Sequence, residues 1–203
     1  AKDPKNANAH LAIAEIAAQL GDKPEDVARI IERAIAAAPD SSAPRIALAN
    51  LYLGTKEPRK ALSVIQDALA AQPEKPELLN VAGNVYQING DVNQAVSAYT
   101  KLASLMPTSD QPYLRLAEVH LSAKNKDAAR DALIRGVRSH PKSIAIQRAL
   151  IILDIDSGRF TEAVATARQI QRDRPKESAG YVLEGDVLVA KKSLVEAASA
   201  YKK

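Results

Sequence analysis

The chain has 203 residues, of which 46% are hydrophobic and 26% are charged, and its formal net charge is +4. It contains no cysteine, which excludes disulfides, thiol catalysis and thiolate metal sites. No apolar run approaches the roughly 18 residues that a membrane-spanning helix needs. The sequence therefore predicts no transmembrane segment.

Prolines recur with a period of 34 residues along the chain. Five of them stand at the same place in the period: Pro39, Pro73, Pro107, Pro141 and Pro175. A small residue stands 12 positions before each: Val27, Ala61, Ala95, Ala129 and Ala163. No single-core globular fold requires such regularity, and a period of this length built from helix pairs indicates a repeat solenoid.

Each period contains two amphipathic helical patterns, an A helix and a B helix, separated by a short polar turn. In the first period we expect helices at 10–20 and 24–37, with Asp22 capping the second helix and Pro24 in its first turn. The next periods turn at 54–57, 89–91, 124–127 and 157–158, and the sixth is truncated within its B helix. We expect one array over 1–203, with repeats at 5–39, 40–73, 74–107, 108–141, 142–175 and 176–203.

The aromatic residues fall at fixed places when the closing proline of each repeat is counted as position 32. Tyrosine stands at positions 4, 11 and 24 and the single phenylalanine at position 17: Tyr113, Tyr181, Tyr52, Tyr86, Tyr99, Tyr201 and Phe160. We expect all of these rings to be used for packing. No aromatic platform then remains on which a base or a sugar could stack.

These residues resemble the tetratricopeptide (TPR) repeat family over essentially the whole chain. The resemblance is carried by Leu48-Ala49 and Ala82-Gly83 at positions 7 and 8, the Asn89-Gly90-Asp91 turn, Ala95, Tyr99 and Pro107. It implies an all-α, right-handed superhelix of about six helix-turn-helix repeats. It also implies a non-catalytic module that binds peptide or protein partners on its concave face.

Three segments resemble a narrower group, the TPR-repeat lipoproteins of bacterial PEP-CTERM/exosortase systems. These segments are DPKNANAHLAIAEIAA, PRIALANLYL and GYVLEGDVLVA. Proteins of that group accompany exopolysaccharide production and protein sorting at the envelope. The resemblance implies an exported, lipid-anchored protein of the periplasm or outer membrane, of which this chain is an interior piece.

Positions 5, 9 and 12 of each A helix share one face of a 3.6-residue period, and the stacking of repeats leaves that face exposed. From this face and its neighbouring positions we predict the contact residues Asn50, Asn80, Asn84, Gln87, Arg115 and Arg148, with pockets lined by Leu53, Leu121 and Ile152. Amide side chains both donate to and accept from an extended backbone.

Two alternatives to a peptide-binding wall stay open. One is a spacer whose wall is merely solvated, and the other is a periplasmic scaffold of polysaccharide export that contacts the polymer or the membrane surface.

Charge and histidine placement argue against other classes of function. The basic excess falls mainly on B helices and turns, while the predicted wall is acidic, so nucleic acid is not an expected partner. His10, His120 and His140 lie in separate repeats, and no metal, cofactor or catalytic site is expected.

Two carboxylates and one apolar end depart from the repeat pattern. Asp154 and Glu184 stand at normally apolar or aromatic positions, so we expect both to have structural partners, with His120 as the hypothesised partner of Asp154.

The truncated B helix of the sixth repeat is expected to leave Val195 and Ala198 exposed. They predict that this end either packs on another molecule, with end-to-end self-association as one such contact, or has no fixed position.

Overall fold

The computed structural model describes residues 6–203, so residues 1–5, including the start of the predicted first repeat, lie outside the described residues. Within 6–203 the chain forms twelve α-helices and no strand. The A helices are α1 (Ala7–Leu20), α3 (Ser42–Gly54), α5 (Pro76–Ile88), α7 (Gln111–Ser122), α9 (Ile144–Asp156) and α11 (Ala179–Ala190). The B helices are α2 (Pro24–Ala37), α4 (Pro58–Ala71), α6 (Val92–Leu105), α8 (Lys126–Ser139), α10 (Phe160–Asp173) and α12 (Leu194–Tyr201). The all-α class and the helix-pair repeat are thus confirmed.

Prolines and short polar side chains determine where the helices begin. Proline occupies the first turn of α2, α4, α5 and α7, where its missing N–H removes no intrahelical bond. Asn6, Asn125 and Ser143 accept a backbone N–H at the starts of α1, α8 and α9. The predicted Asp22 cap is wrong, because Lys23 precedes α2 without a side-chain cap and the Asp22 N–H instead donates to the Ala17 carbonyl.

A residue in the left-handed conformation follows every A helix at position 15. Glycine and lysine alternate there: Gly21, Lys56, Gly90, Lys124, Gly158 and Lys192, with φ between 59° and 84°. This conformation reverses the chain directly after the helix. The turn geometry is therefore common to all six hairpins, although only three carry the glycine that favours it.

The chain divides into two compact units, an N-terminal unit ending at Leu105 and a C-terminal unit from Met106 to Lys203. In the N-terminal unit α3 contacts both α1 and α5, and the B helices α2 and α4 pack against the A helix that follows each. In the C-terminal unit α9 contacts both α7 and α11, and α8 and α10 pack in the same way. Each unit is thus a stack of antiparallel hairpins with its A helices side by side.

The core depends on small side chains in the B helices. Ala61, Ala95, Ala129 and Ala163 are fully buried, as the recurrence of a small residue 12 positions before each proline predicts. Short side chains let helix backbones approach closely while still burying apolar surface. The hairpins therefore pack tightly without a large aromatic core.

Positions 8 and 24 of each hairpin meet in the core and compensate for each other's size. In the third repeat, a methyl group added to Gly83 would lie 2.4 Å from the Tyr99 ring, and in the sixth a methyl group on Gly185 would lie 2.3 Å from Tyr201. The fifth repeat has the reverse arrangement, since Ile151 at position 8 shares a core cluster with Ala167 at position 24.

The aromatic rings that were predicted to be used for packing differ in how far they are buried. Tyr99 and Tyr86 are buried at 1% and 8% exposure, but Tyr201 remains 46% exposed. The Tyr201 ring contacts Gly185, and its hydroxyl donates to Asp186 at 2.7 Å on the surface. This ring combines a packing role with an exposed polar edge, which spacing along the sequence cannot indicate.

Candidate peptide-binding walls

The predicted contact residues all lie on A helices. Here an A-helix wall means the exposed face formed by positions 5, 9 and 12 of adjacent A helices, together with the neighbouring positions 2, 6 and 13. The N-terminal wall (α1, α3, α5) carries Asn50, Leu53, Asn80, Asn84 and Gln87, and the C-terminal wall (α7, α9, α11) carries Arg115, Leu121, Arg148 and Ile152. The nine residues therefore divide between the two compact units.

The N-terminal wall presents amide groups to solvent. Asn50 and Asn84 are exposed, while Asn80, Gln87 and Leu53 are half-buried. Within residues 6–203, the side chains of Asn50, Asn80 and Asn84 make no hydrogen bond. Their donors and acceptors are thus available to a ligand backbone.

An open groove of about 530 Å³ lies in the N-terminal wall between α1 and α3. It is lined by Leu11, Ala14, Glu15, Ala18, Val27, Ile31, Ala47, Asn50 and Leu51. Asn50 was predicted as a contact residue, whereas Val27 and Ile31, which come from the B helix α2, were not. Their positions indicate only core residues in the sequence, and in the structure they stay buried at the bottom of the groove between the two A helices.

The C-terminal wall is more aliphatic. Leu121 and Ile152 are 41% and 57% exposed, and Val182 and Val189 on α11 are also exposed. Arg148 is exposed, whereas Arg115 pairs with Glu118 at 2.8 Å one helical turn away. The Arg115 charge is therefore already partly compensated, and the exposed aliphatic side chains dominate this wall.

The buried carboxylate of Asp154 has a basic partner, but not the predicted one. Asp154 has no exposed surface, and Arg130 Nε donates to its Oδ1 at 2.6 Å. The hypothesis of a His120 pair is wrong, because Asp154 on α9 is reached by Arg130 from the adjacent B helix α8. The hydrogen bond to Asp154 raises the pKa of Arg130, while burial and the nearby Arg135 lower the pKa of His120.

Glu184 is compensated in the same way within the C-terminal unit. Its side chain accepts from Arg168 Nε and from Gln171 Nε2, each at 2.7 Å. Burial by itself raises the pKa of Glu184, but the hydrogen bonds from Gln171 and Arg168 outweigh it, so that its pKa lies below the ordinary value of 4.5. Both carboxylates that break the repeat pattern therefore have a structural role.

Two further features bear on the classes of site the chain could hold. Among residues 6–203 no group of three or more metal-ligating side chains converges. None of the helices in that range has the length and apolarity required to cross a bilayer.

The stacked hairpins define an α-helical repeat protein, and family comparison identifies the repeat. A tetratricopeptide repeat model matches residues 22–84 and 87–151, and a second tetratricopeptide repeat model matches 1–42 and 148–203. The chain belongs to the tetratricopeptide repeat family. A search of curated protein sequences finds no significant match.

Solved structures with the same fold come from several bacteria. PilF of Pseudomonas aeruginosa superposes with a TM-score of 0.65 at 17% identity, over 96% of this chain and 88% of that one. A tetratricopeptide repeat protein of Parabacteroides merdae gives 0.64 at 15% identity, over 96% and 77%. YrrB, described as a TPR protein with an unusual peptide-binding site, gives 0.54 at 19% identity, over 84% and 88%. Identities this low establish similarity of fold alone.

Proposed function

We propose that this chain is a non-catalytic scaffold whose A-helix walls bind peptide or protein partners. One observation carries the proposal: the N-terminal wall presents the unbonded amides of Asn80 and Asn84 on α5 and that of Asn50, which lines the apolar groove between α1 and α3. Amides hydrogen-bond an extended backbone, and an apolar groove accepts its side chains. The peptide-binding site described for YrrB supports this use of the fold.

The partner-binding role is tested by affinity capture from an envelope extract. The double substitution Asn80→Ala/Asn84→Ala is expected to reduce recovery of a specific partner at least about fivefold, since two backbone hydrogen bonds are lost. The matched control is Asn93→Ala/Gln94→Ala, which removes two exposed amides from the B helix α6. Equal recovery with both variants would contradict binding by the N-terminal wall.

We further propose that the scaffold acts in the bacterial envelope, as an exported TPR lipoprotein of an exopolysaccharide or PEP-CTERM sorting system. The support is the resemblance of segments such as GYVLEGDVLVA to proteins of that group. Immunoblots of cell fractions are expected to find the full-length protein in the periplasm or outer membrane. Detection in the cytoplasm alone would overturn the envelope assignment and leave the scaffold role intact.

A second candidate function is direct contact with an anionic envelope polymer or membrane surface. It is favoured by a groove of about 430 Å³ between α10, α11 and α12, whose lining has three cations, Arg168, Arg172 and Lys191, and one carboxylate, Glu196, with Arg168 already paired to Glu184. Binding of an anionic polysaccharide that falls with rising salt and is lost in Arg172→Gln/Lys191→Gln would support it. Binding that is unaffected by the double substitution would remove it.

We also propose that copies of the chain associate end to end. On α1, Ile13 and Ile16 are 51% and 56% exposed, whereas the equivalent of Ile13 in the second repeat, Leu48, is 5% exposed beneath the preceding hairpin. At the other end, Val195 is 83% exposed and Ala198 is also exposed. Each end therefore offers a surface of the kind that the repeats bury against each other.

Sedimentation velocity tests the association over a wide range of concentrations. The average mass is expected to rise with concentration, and Val195→Lys or Ile16→Lys is expected to abolish the rise. A chain that stays monomeric throughout would exclude end-to-end association, without bearing on the walls.

A further inference from the structure

We infer that the N-terminal wall selects an extended peptide in which an aliphatic side chain lies within two residues of a lysine or arginine. The aliphatic side chain fills the groove between α1 and α3, and the base pairs with Glu15. This inference rests on the proposed function, since it names the chemistry of the partner at the same wall.

The aliphatic half of the recognition follows from the lining of the groove. Val27 and Ile31 form a floor that is only 3% and 4% exposed, and Leu11, Ala47 and Leu51 form half-buried sides. At about 530 Å³, the groove falls in the range of roughly 300–1,000 Å³ typical of ligand pockets. An aliphatic side chain gains by leaving water for such a surface.

The basic half follows from the charges around the groove. Glu15 lies at its edge, is exposed, and has no ion-pair partner within residues 6–203. The other charged wall position of this unit is Glu77, and positions 2, 5, 9, 12 and 13 of α1, α3 and α5 carry no lysine or arginine. The wall therefore attracts a cation and repels an acidic segment.

Asn50 lies where it can hold the peptide backbone between the apolar groove and Glu15. It lines the same groove as Glu15 and occupies the same repeat position one hairpin further along. A peptide amide bonded to Asn50 would hold the backbone across the groove. In an extended segment, side chains one or two residues away from that point are within reach of both the apolar floor and the Glu15 carboxylate.

The test is an in vitro selection from a random dodecapeptide library against the purified chain. Selected peptides are expected to contain Leu, Ile or Val within two residues of Lys or Arg. Against Glu15→Lys the preference is expected to reverse toward Asp or Glu, because the charge at the groove is inverted. The matched control is Glu32→Lys, an exposed charge reversal on the B helix α2, which is expected to leave the selected motif unchanged.

Affinity measurements on one selected peptide complete the experiment. Glu15→Gln is expected to raise its dissociation constant about fivefold, and far-UV circular dichroism checks that each variant is folded. Peptides that bind the wall without a basic residue, or that are indifferent to Glu15→Lys, would overturn this inference and leave the scaffold role standing. A selection that yields no wall-dependent binder would overturn both.

Discussion

At the scale of single residues, the core tolerates carboxylates because each has a donor from a neighbouring helix. Asp154 is fully buried and is held by Arg130, and Glu184 is held by Arg168 and Gln171. An unpaired buried charge would cost several kcal/mol. The departures from the repeat pattern are therefore compensated locally.

The Glu184 network predicts a pH dependence of stability. Because the folded-state pKa of Glu184 lies below its ordinary value of 4.5, its contribution is fully present above about 4.5 and is lost as the pH falls through the lower, folded-state value. Glu184→Gln is expected to lower the thermal midpoint at pH 7, and the gap to the wild type should narrow below pH 4.5. Midpoints from circular dichroism at pH 7, 5, 4 and 3 measure this.

An exposed glutamate supplies the control for this pH series. Glu32→Gln, on the surface of α2, should follow the wild-type midpoints at every pH. A gap between wild type and Glu184→Gln that stays constant down to pH 3 would show that the carboxylate charge is not what stabilises this part of the fold.

The lysines in the left-handed backbone conformation lead to a second prediction at the scale of single residues. Lys124 has a φ of 59°, a conformation that costs a residue with a side chain about 1–2 kcal/mol. Lys124→Gly should remove that strain, and after the greater chain entropy of glycine is subtracted the gain is about 0.5–1 kcal/mol in unfolding free energy. Urea titration measures the gain, and Gly90→Ala at the equivalent turn (φ 83°) should change stability in the opposite direction. Destabilisation by Lys124→Gly would contradict the assigned strain.

At the scale of the hairpin, the side chains at positions 8 and 24 share a nearly constant space. Glycine opposes tyrosine in the third and sixth repeats, and isoleucine opposes alanine in the fifth. The first, second and fourth repeats oppose alanine to isoleucine or leucine. The sizes of the two side chains vary together, as close packing requires.

This compensation predicts a rescue. Gly83→Ala should destabilise the chain by about 1–3 kcal/mol, because its methyl group would overlap the Tyr99 ring. Adding Tyr99→Leu, which recreates the alanine and leucine pair of the fourth repeat, should restore a large part of the loss. Chemical denaturation of the two single variants and the double variant gives the coupling energy. Additive effects would show that the pair does not share one space.

Helix positions could be predicted closely because proline and glycine mark the ends of each hairpin. The predicted range 24–37 coincides with α2. The partner of Asp154 could not be predicted, since several basic residues of the preceding repeat are compatible with the spacing and only side-chain direction selects Arg130. The turn at 124–127 was predicted, but the left-handed conformation of Lys124 was not, because lysine gives no sequence signal for it.

At the scale of the whole chain, each compact unit contains three hairpins with contacts between neighbours. A repeat needs its neighbours to bury its apolar faces, and three stacked repeats are commonly enough for a stable fold. A fragment of residues 1–105 is therefore expected to fold by itself. Far-UV circular dichroism should show full helicity per residue and a cooperative thermal transition, and an unstructured fragment would contradict the expectation.

The candidate site was only partly visible in the sequence at this scale. Helical periodicity indicated which side chains face outward, and it placed Asn50 and Asn84 on an exposed wall. It could not indicate the groove, because the floor residues Val27 and Ile31 belong to α2 while the sides of the groove come from α1 and α3.

The pairing of positions 8 and 24 has a consequence for how such an array changes in length. Both partners lie within one 34-residue segment, so a tandem duplication copies each bulky side chain together with the space it needs. Gene rearrangement can then add or delete whole hairpins without new steric conflicts inside them. Only the surfaces between successive hairpins must adapt, which leaves the outward-facing wall free to diverge.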